Sequence, residues 1–199
     1  RDLLVVASVQ GVRFDTIIVA RALGTDAAKL EERLDVLERK HAFVELVGES
    51  ALPDGTPSSQ FRFVHALYQN ELYASLRPVR RAALSGTIAQ CLVEAHAKDL
   101  NSVAADLALL FETARDFVNT ARYFAAAARK AADVFADKEA ITLTRRGLHA
   151  LSSLTSSPEL VPIELELQLA LGKSLYRTQG YAAPEVERAF TRARDLCEH

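Results

Sequence analysis

Apolar residues recur at three- and four-residue spacing along most of the chain, which is the pattern of amphipathic helices. The clearest stripe consists of Ala27, Leu30, Leu34 and Leu37. It predicts a helix that starts at Thr25 or Asp26 and turns one side toward a core. A shorter helix over residues 16–23 precedes it, with Asp15 as N-terminal cap and Gly24 as the left-handed residue at its end. The first third of the chain is therefore expected to contain consecutive short helices.

A segment of β-forming residues follows Lys40. Residues 43–47 (Phe-Val-Glu-Leu-Val) and 61–64 (Phe-Arg-Phe-Val) favour strands, and Pro-Asp-Gly-Thr-Pro at 53–57 lies between them. Proline presets φ and glycine accepts the positive φ that closes a turn, so this loop predicts a reversal of the chain. Together these residues predict a two-stranded antiparallel hairpin.

Helical patterns dominate the remainder of the sequence. A helix over 65–76 carries Tyr68, Leu72 and Leu76 on one face, and Pro78 then interrupts the pattern. Further helices are predicted at about 79–97, 102–113, from 116 onward, and at 137–151. The segment 164–171 alternates strictly, as strands do, but its residues are strong helix formers, and we interpret it as helix.

The order of these elements predicts a mainly α fold with two domains. Residues 1–77 are expected to form a winged-helix domain, in which helices are followed by a small β-hairpin. Residues 78–199 are expected to form an α-helical solenoid similar to tetratricopeptide repeats, because small and large residues alternate on successive amphipathic helices. The spacing between predicted helix starts exceeds half of the 34-residue tetratricopeptide unit, so the repeat is degenerate.

Composition and charge exclude several classes of protein. The 49% hydrophobic and 25% charged residues are ordinary for a globular chain, and the net charge of -2 gives no overall attraction to nucleic acid or anionic lipid. The two cysteines, Cys91 and Cys197, are too few for a disulfide framework, and Cys91 lies on an apolar helical face. Apolar runs stay well below ~18 residues and no signal peptide opens the sequence, so we expect a cytoplasmic location. Since methionine is absent, we expect this chain to be part of a longer or processed protein.

Candidate catalytic and metal chemistry is weak. The five histidines His41, His65, His96, His149 and His199 lack the spacing of a zinc site. Gly172-Lys173-Ser174 resembles the end of a phosphate-binding loop, but Leu167 occupies the position where that loop needs a glycine. Neither a nucleophile elbow nor a general acid and base pair is evident. We therefore predict no catalytic residues, no metal ligands and no cofactor bound by this chain itself, which makes it a non-enzyme.

A family resemblance starts at residues 61–69, Phe-Arg-Phe-Val-His-Ala-Leu-Tyr-Gln, and continues through Leu72-Tyr73, Leu76 and Arg80-Arg81. Gly-Val-Arg-Phe-Asp at 11–15 and Gly-Tyr-Ala-Ala-Pro-Glu-Val at 180–186 add to it. In these motifs the chain resembles bacterial AAA-related ATPases of the signal-transduction (STAND) class. Their ATPase core is followed by a winged-helix domain and tetratricopeptide-like repeats, often together with an adenylate or guanylate cyclase or a transcription-factor domain.

The resemblance implies a role for His65. In relatives of this class, a histidine within a Met-His-Asp-like motif at the winged-helix domain contacts the β-phosphate of ADP and holds the resting state. Val64-His65-Ala66-Leu67 is similar to that motif, with Ala66 in place of the aspartate. His65 is thus the candidate nucleotide-sensing residue, with ATP or ADP bound by the parent protein. The alternative is that His65 only caps the following helix or satisfies a core backbone group.

Three functions follow as hypotheses. The leading one is a non-catalytic regulatory region of a signalling ATPase, which contacts the parent ATPase core through the winged helix and a protein or peptide partner through the repeats. The second is a protein adaptor without a nucleotide role. The third is a DNA-binding regulator that would use the helix starting at Asp26. This helix contains more acids than bases, which disfavours phosphate contacts. Its bases are Lys29, Arg33, Arg39 and Lys40, and its acids are Asp26, Glu31, Glu32, Asp35 and Glu38.

Overall fold

The structure is a computed structural model that describes residues 2–155 and 157–198. These residues form ten α-helices, two short 3₁₀ helices and one three-stranded antiparallel sheet. The mainly helical class is confirmed. The chain divides into two compact units, residues 1–100 and 101–199.

The first unit contains the sheet. Its elements are α1 (Asp2–Gln10), β1 (Arg13–Asp15), α2 (Thr16–Leu23), α3 (Ala27–His41), β2 (Val44–Ala51), β3 (Pro57–Phe63), α4 (Ala66–Ala74) and α5 (Pro78–Ala95). Helix α5 packs against α1 and α2, so this compact unit extends past residue 77, where the sequence placed the domain boundary.

The predicted hairpin is confirmed, and a third strand joins it. Strands β2 and β3 pair in antiparallel fashion with a bulge between Leu46 and Gly48, and β1 pairs with the other edge of β3 to give the order β1-β3-β2. Gly55 has φ of 90° in the connecting turn, and the Leu52 amide donates to the Thr56 carbonyl across it. Glycine is suited to this turn because L side chains rarely adopt such a φ.

Aromatic packing forms the core of the first unit. The ring centroid of Phe14 on β1 lies 6.2 Å from that of Phe61 and 5.4 Å from that of Phe63. Phe61 and Phe63 belong to β3, and all three side chains are buried. Leu30 and Leu34 of the predicted α3 stripe are buried with them, while Ala27 and Leu37 are half-buried. Helix α1 is buried over most of its length and contacts α2, α4 and α5.

The two predicted helix starts in the first unit differ in their capping. Asp26 caps α3 through its side chain, which accepts a hydrogen bond from the Lys29 amide at 3.1 Å. Asp15 is the N-cap residue of α2 as predicted, but its side chain makes no capping hydrogen bond. The Asp15 carboxylate instead accepts a hydrogen bond from the Gln10 side chain at 3.3 Å. Gly24 ends α2 with φ of 62°, as predicted.

The second unit consists of helices. They are α6 (Ala104–Ala114), α7 (Phe117–Asp133), α8 (Asp137–Ser152), α9 (Val161–Gln179) and α10 (Pro184–Glu198). A 3₁₀ helix (Leu100–Val103) precedes α6 and another (Pro158–Leu160) precedes α9. The alternating segment 164–171 lies inside α9, which confirms the helical interpretation.

Consecutive helices of this unit pack side by side, and α7 also contacts α9. Gly147 of α8 lies where the three central helices meet, since a Cβ there would come within 2.7 Å of Leu167 of α9 and 3.2 Å of Phe124 of α7. Arg177 of α9 pairs with Asp137 and donates to the Ala132 carbonyl at 2.9 Å, which joins α9 to the turn between α7 and α8. The unit is thus built from helix pairs held by close approach at small residues and by ion pairs.

Among the described residues, no helix combines the length and the apolar character that crossing a lipid bilayer requires.

Candidate functional site around His65

His65 lies between β3 and α4 and precedes the first residue of the helix. Its backbone is extended, with φ of -126° and ψ of 133°, and its side chain is exposed. His65 is the N-cap residue of α4, but its ring makes no capping hydrogen bond to the helix. The imidazole is therefore accessible to a partner from outside the unit.

An aromatic row connects His65 to the end of α3. His65 meets Tyr68 edge to face with ring centroids 5.6 Å apart, and Tyr68 meets Phe43 in the same way at 5.2 Å. Phe43 stacks on His41 at 5.8 Å. We call these four residues the aromatic row; Phe43 and Tyr68 each keep more than a third of their surface exposed.

An apolar cavity of about 430 Å³ opens beside the aromatic row. It is lined by Leu4, Leu37, Phe43, Phe63, Tyr68, Glu71 and Leu72. The lining comes from α1, α3, both ends of the hairpin and α4, and Glu71 is its one carboxylate residue. The volume falls in the ~300–1,000 Å³ range of ligand pockets, and the lining favours an apolar group.

The first turn of α4 adds a polar feature next to His65. It contains no acidic residue and has no side-chain cap. Unsatisfied backbone N–H groups at a helix N-terminus carry partial positive charge and bind anions such as phosphate. His65 and this helix start can therefore face the same anion.

Among the described residues of the first unit, three titratable groups outside this site have shifted pKa values. Burial raises the pKa of Asp15, against the opposing effects of His96 and of the hydrogen bond from Gln10. A backbone hydrogen bond from Thr56 lowers the pKa of Asp54 to about 2. Burial raises the pKa of the Cys91 thiol, and the nearby Glu94 adds to this, which fits the predicted structural role of that cysteine.

The rejected phosphate-loop sequence lies in the middle of α9. Gly172 packs against the Phe190 ring, Ser174 is buried, and Lys173 lies 3.7 Å from Asp133 on the surface. A continuous helix cannot wrap its amides around a phosphate, so this segment is not a nucleotide loop. Among the described residues, no three His, Cys, Asp or Glu side chains are grouped closely enough to hold a metal ion.

The sequence indicates His65 through a motif but gives no such signal for its neighbours in the aromatic row. Phe43 lies in a predicted strand, Tyr68 lies on an apolar helix face, and His41 is one of five scattered histidines. The structure brings these residues together because the β2–β3 hairpin returns the chain to the end of α3. Such proximity between distant segments has no signal in a single sequence.

In comparisons with known proteins, the chain matches no protein-family model, no curated protein and no solved structure.

Proposed function

We propose that this chain is a non-catalytic regulatory region of a signal-transduction ATPase. In this proposal the first unit is a winged-helix domain that contacts the nucleotide-binding core of the parent protein. The second unit is a tetratricopeptide-like array that binds a protein or peptide partner, or a signal. The proposal depends on one observation. The His65 ring is exposed and makes no capping hydrogen bond, and it lies at the start of α4, whose first turn contains no acidic residue.

The order of elements in the first unit supports the winged-helix assignment. The chain runs α1-β1-α2-α3-β2-β3, and the hairpin of β2 and β3 follows α3 directly. Strand β1 lies between the first two helices and completes the sheet. Three helices followed by a hairpin is the element order of winged-helix domains, which supports the proposal.

The environment of His65 supports a phosphate contact. Imidazole can donate a hydrogen bond to a phosphate oxygen, and its charge changes near neutral pH. The first amides of α4 would add donors and a positive partial charge at the same place. Because Ala66 replaces the acidic residue of the related motif, no carboxylate competes with the phosphate in this first turn.

The second unit supplies a surface suited to a partner. Helices α7 and α9 contact each other as the leading helices of two successive pairs, α7–α8 and α9–α10. A groove of about 430 Å³ includes residues of both, with Leu165 and Leu169 as apolar lining. Ion pairs of Arg129 with Glu166 and of Lys173 with Asp133 join the two helices at this groove.

The mechanism would be a shift between two populations of the parent protein. A closed ADP-bound state would include the contact of His65 with the β-phosphate, and an open ATP-bound state would lack it. A partner that binds the second unit better in one state would shift the equilibrium toward that state.

The test is the His65→Ala exchange in the full-length protein that contains this chain. We expect faster release of bound ADP and a raised basal output, because a hydrogen bond to a charged group contributes about 1.5–3 kcal/mol. That range corresponds to roughly a 10- to 150-fold change in the ADP dissociation rate. His149→Ala is the matched control, since it removes an exposed imidazole that lies outside the aromatic row.

Unchanged ADP release and basal output in His65→Ala would contradict the nucleotide-sensing role. In that case the adaptor function becomes the better proposal, supported by the groove between α7 and α9.

A further inference from the structure

Charged side chains are distributed unevenly around α3, which the numbers of its acidic and basic residues do not show. Lys29, Arg33, Val36 and Lys40 follow each other at spacings of four, three and four residues, so they form one stripe on the helix surface. All four side chains are exposed, and Val36 retains 48% of its surface. We call these four residues the basic stripe.

Three of the four acids within α3 are engaged, and the fourth, Glu32, borders the stripe, three residues after Lys29 and four before Val36. The Glu31 carboxylate accepts a hydrogen bond from the Thr16 hydroxyl at 3.0 Å, and Glu38 accepts one from the Leu46 amide at 2.9 Å. Asp35 lies 3.9 Å from Arg39. Glu32 is the exposed acid within the helix. The surface that α3 offers along the stripe is therefore basic, although its acids and bases nearly balance in number.

The basic stripe borders the apolar cavity beside the aromatic row. Leu37 lines that cavity, and it follows Arg33 by four residues and precedes Lys40 by three, so both bases flank it on the helix surface. His41 adds an exposed imidazole at the same end, stacked on the Phe43 ring that lines the cavity. An apolar hollow thus has a basic border on its α3 side.

We propose that this surface binds an acidic amphipathic segment of a protein partner. A bulky apolar side chain of the partner occupies the cavity, and its carboxylates lie against Arg33 and Lys40. The proposal depends on charge complementarity together with the apolar lining, and it requires neither the ATPase assignment nor a nucleotide.

The cavity favours such a protein segment over nucleic acid. A duplex would gain from the basic stripe through its phosphates, but its backbone has no apolar group to fill a cavity lined by Leu4, Leu37, Phe63 and Leu72. Nucleic acid would use the stripe alone, so the two classes of partner predict different effects of changing the cavity.

The test uses the whole 199-residue chain and a fluorescently labelled amphipathic peptide of about four helical turns (~14 residues). The peptide carries Phe and Leu on one face and Glu on the other. Two further peptides replace Phe and Leu by Ala, or Glu by Lys. We expect saturable binding of the acidic peptide that weakens with added salt, and at least a tenfold loss of affinity for either modified peptide.

Charge reversal of the protein supplies the decisive comparison. Arg33→Glu combined with Lys40→Glu is expected to abolish binding of the acidic peptide and to create binding of the Lys peptide. The matched control reverses two exposed bases of the second unit, Lys130→Glu with Arg188→Glu, and is expected to leave the acidic peptide bound. Tyr68→Ser opens the cavity wall and is expected to weaken binding at least tenfold, with thermal unfolding measured in parallel to verify the fold.

Two results would overturn the proposal. One is equal binding of the acidic peptide to the wild-type chain and to the Arg33 and Lys40 double variant. The other is that the acidic peptide does not bind, whereas a mixed-sequence DNA duplex binds in a salt-dependent way. In that result the double variant loses DNA binding and Tyr68→Ser retains it. The latter would assign the basic stripe to nucleic acid.

Discussion

Among the described residues, three other than glycine have positive φ angles: Ala42 at 49°, Arg115 at 63° and Phe135 at 59°. Ala42 and Arg115 are the C-terminal caps of α3 and α6, and Phe135 follows the end of α7. The left-handed conformation costs an L-residue about 1–2 kcal/mol because Cβ crowds the following carbonyl oxygen. Each of these helix ends is therefore formed against a local backbone preference.

Replacing Ala42 by glycine is expected to stabilise the chain by up to about 1 kcal/mol. Glycine removes the Cβ crowding at φ of 49°, and part of the gain is offset because glycine makes the unfolded chain more flexible. Chemical denaturation monitored by circular dichroism measures the change. Ala83→Gly, at an exposed position inside α5, is the control and should lose about 1 kcal/mol. Loss of stability in Ala42→Gly would contradict the strain argument.

Asp54 gives a prediction for low pH. Its pKa is lowered to about 2, first by the backbone hydrogen bond from Thr56 and then by smaller contributions that include Arg21, whereas an unfolded aspartate titrates near ~3.9. Its stabilising effect is therefore present above pH ~4 and is lost as the pH falls toward 2.

We expect Asp54→Asn to differ from the wild type by a constant free energy of unfolding above pH ~5 and by progressively less below pH ~4. Denaturant titrations at several pH values measure this difference. A direct reading of the Asp54 carboxyl by NMR should give a midpoint near pH 2. A midpoint near the ordinary aspartate value would contradict the prediction.

Gly147 and Gly172 lie at close helix contacts in the second unit, and Gly147 tests this packing. A valine at 147 would force its side chain against Leu167 and Phe124, and overpacking of this kind costs about 1–3 kcal/mol. Thermal unfolding of Gly147→Val should show this loss. Thr142→Val introduces the same residue at an exposed position of α8 and should change stability by less than about 0.5 kcal/mol. Equal effects of the two substitutions would mean that α8 does not require a small residue at its contact with α7 and α9.

The sequence predicted elements where local chemistry alone determines them. The α3 stripe, the Asp26 cap and the Pro-Asp-Gly turn are local signals, and the structure contains each of them. Strand β1 was missed because Arg13, Phe14 and Asp15 are too few to show an alternating pattern. They form a strand only by pairing with β3, far along the chain. The side chain of Asp15 likewise serves a contact with Gln10 and not the predicted helix cap.

At the scale of the whole molecule, the candidate site depends on positions distant in sequence. His65 was identified from a motif resemblance, and its neighbours in the aromatic row became visible only through the return of the hairpin to α3. The balance of charges on α3 suggested a surface unsuited to anions. Glu31 and Glu38 form hydrogen bonds with other elements, and the side chains of the basic stripe are exposed, which changes that interpretation. The aromatic row and these hydrogen bonds require three-dimensional proximity that periodicity does not encode, whereas the stripe itself follows from helical spacing.

The most direct measurement of the central claim is a high-resolution structure of the full-length protein bound to ADP. The account predicts an imidazole nitrogen of His65 within hydrogen-bond distance, about 2.7–3.2 Å, of a β-phosphate oxygen, with the first amides of α4 directed at the same phosphate. A His65 ring that remains exposed to solvent in the ADP complex, with other residues holding the β-phosphate, would contradict it.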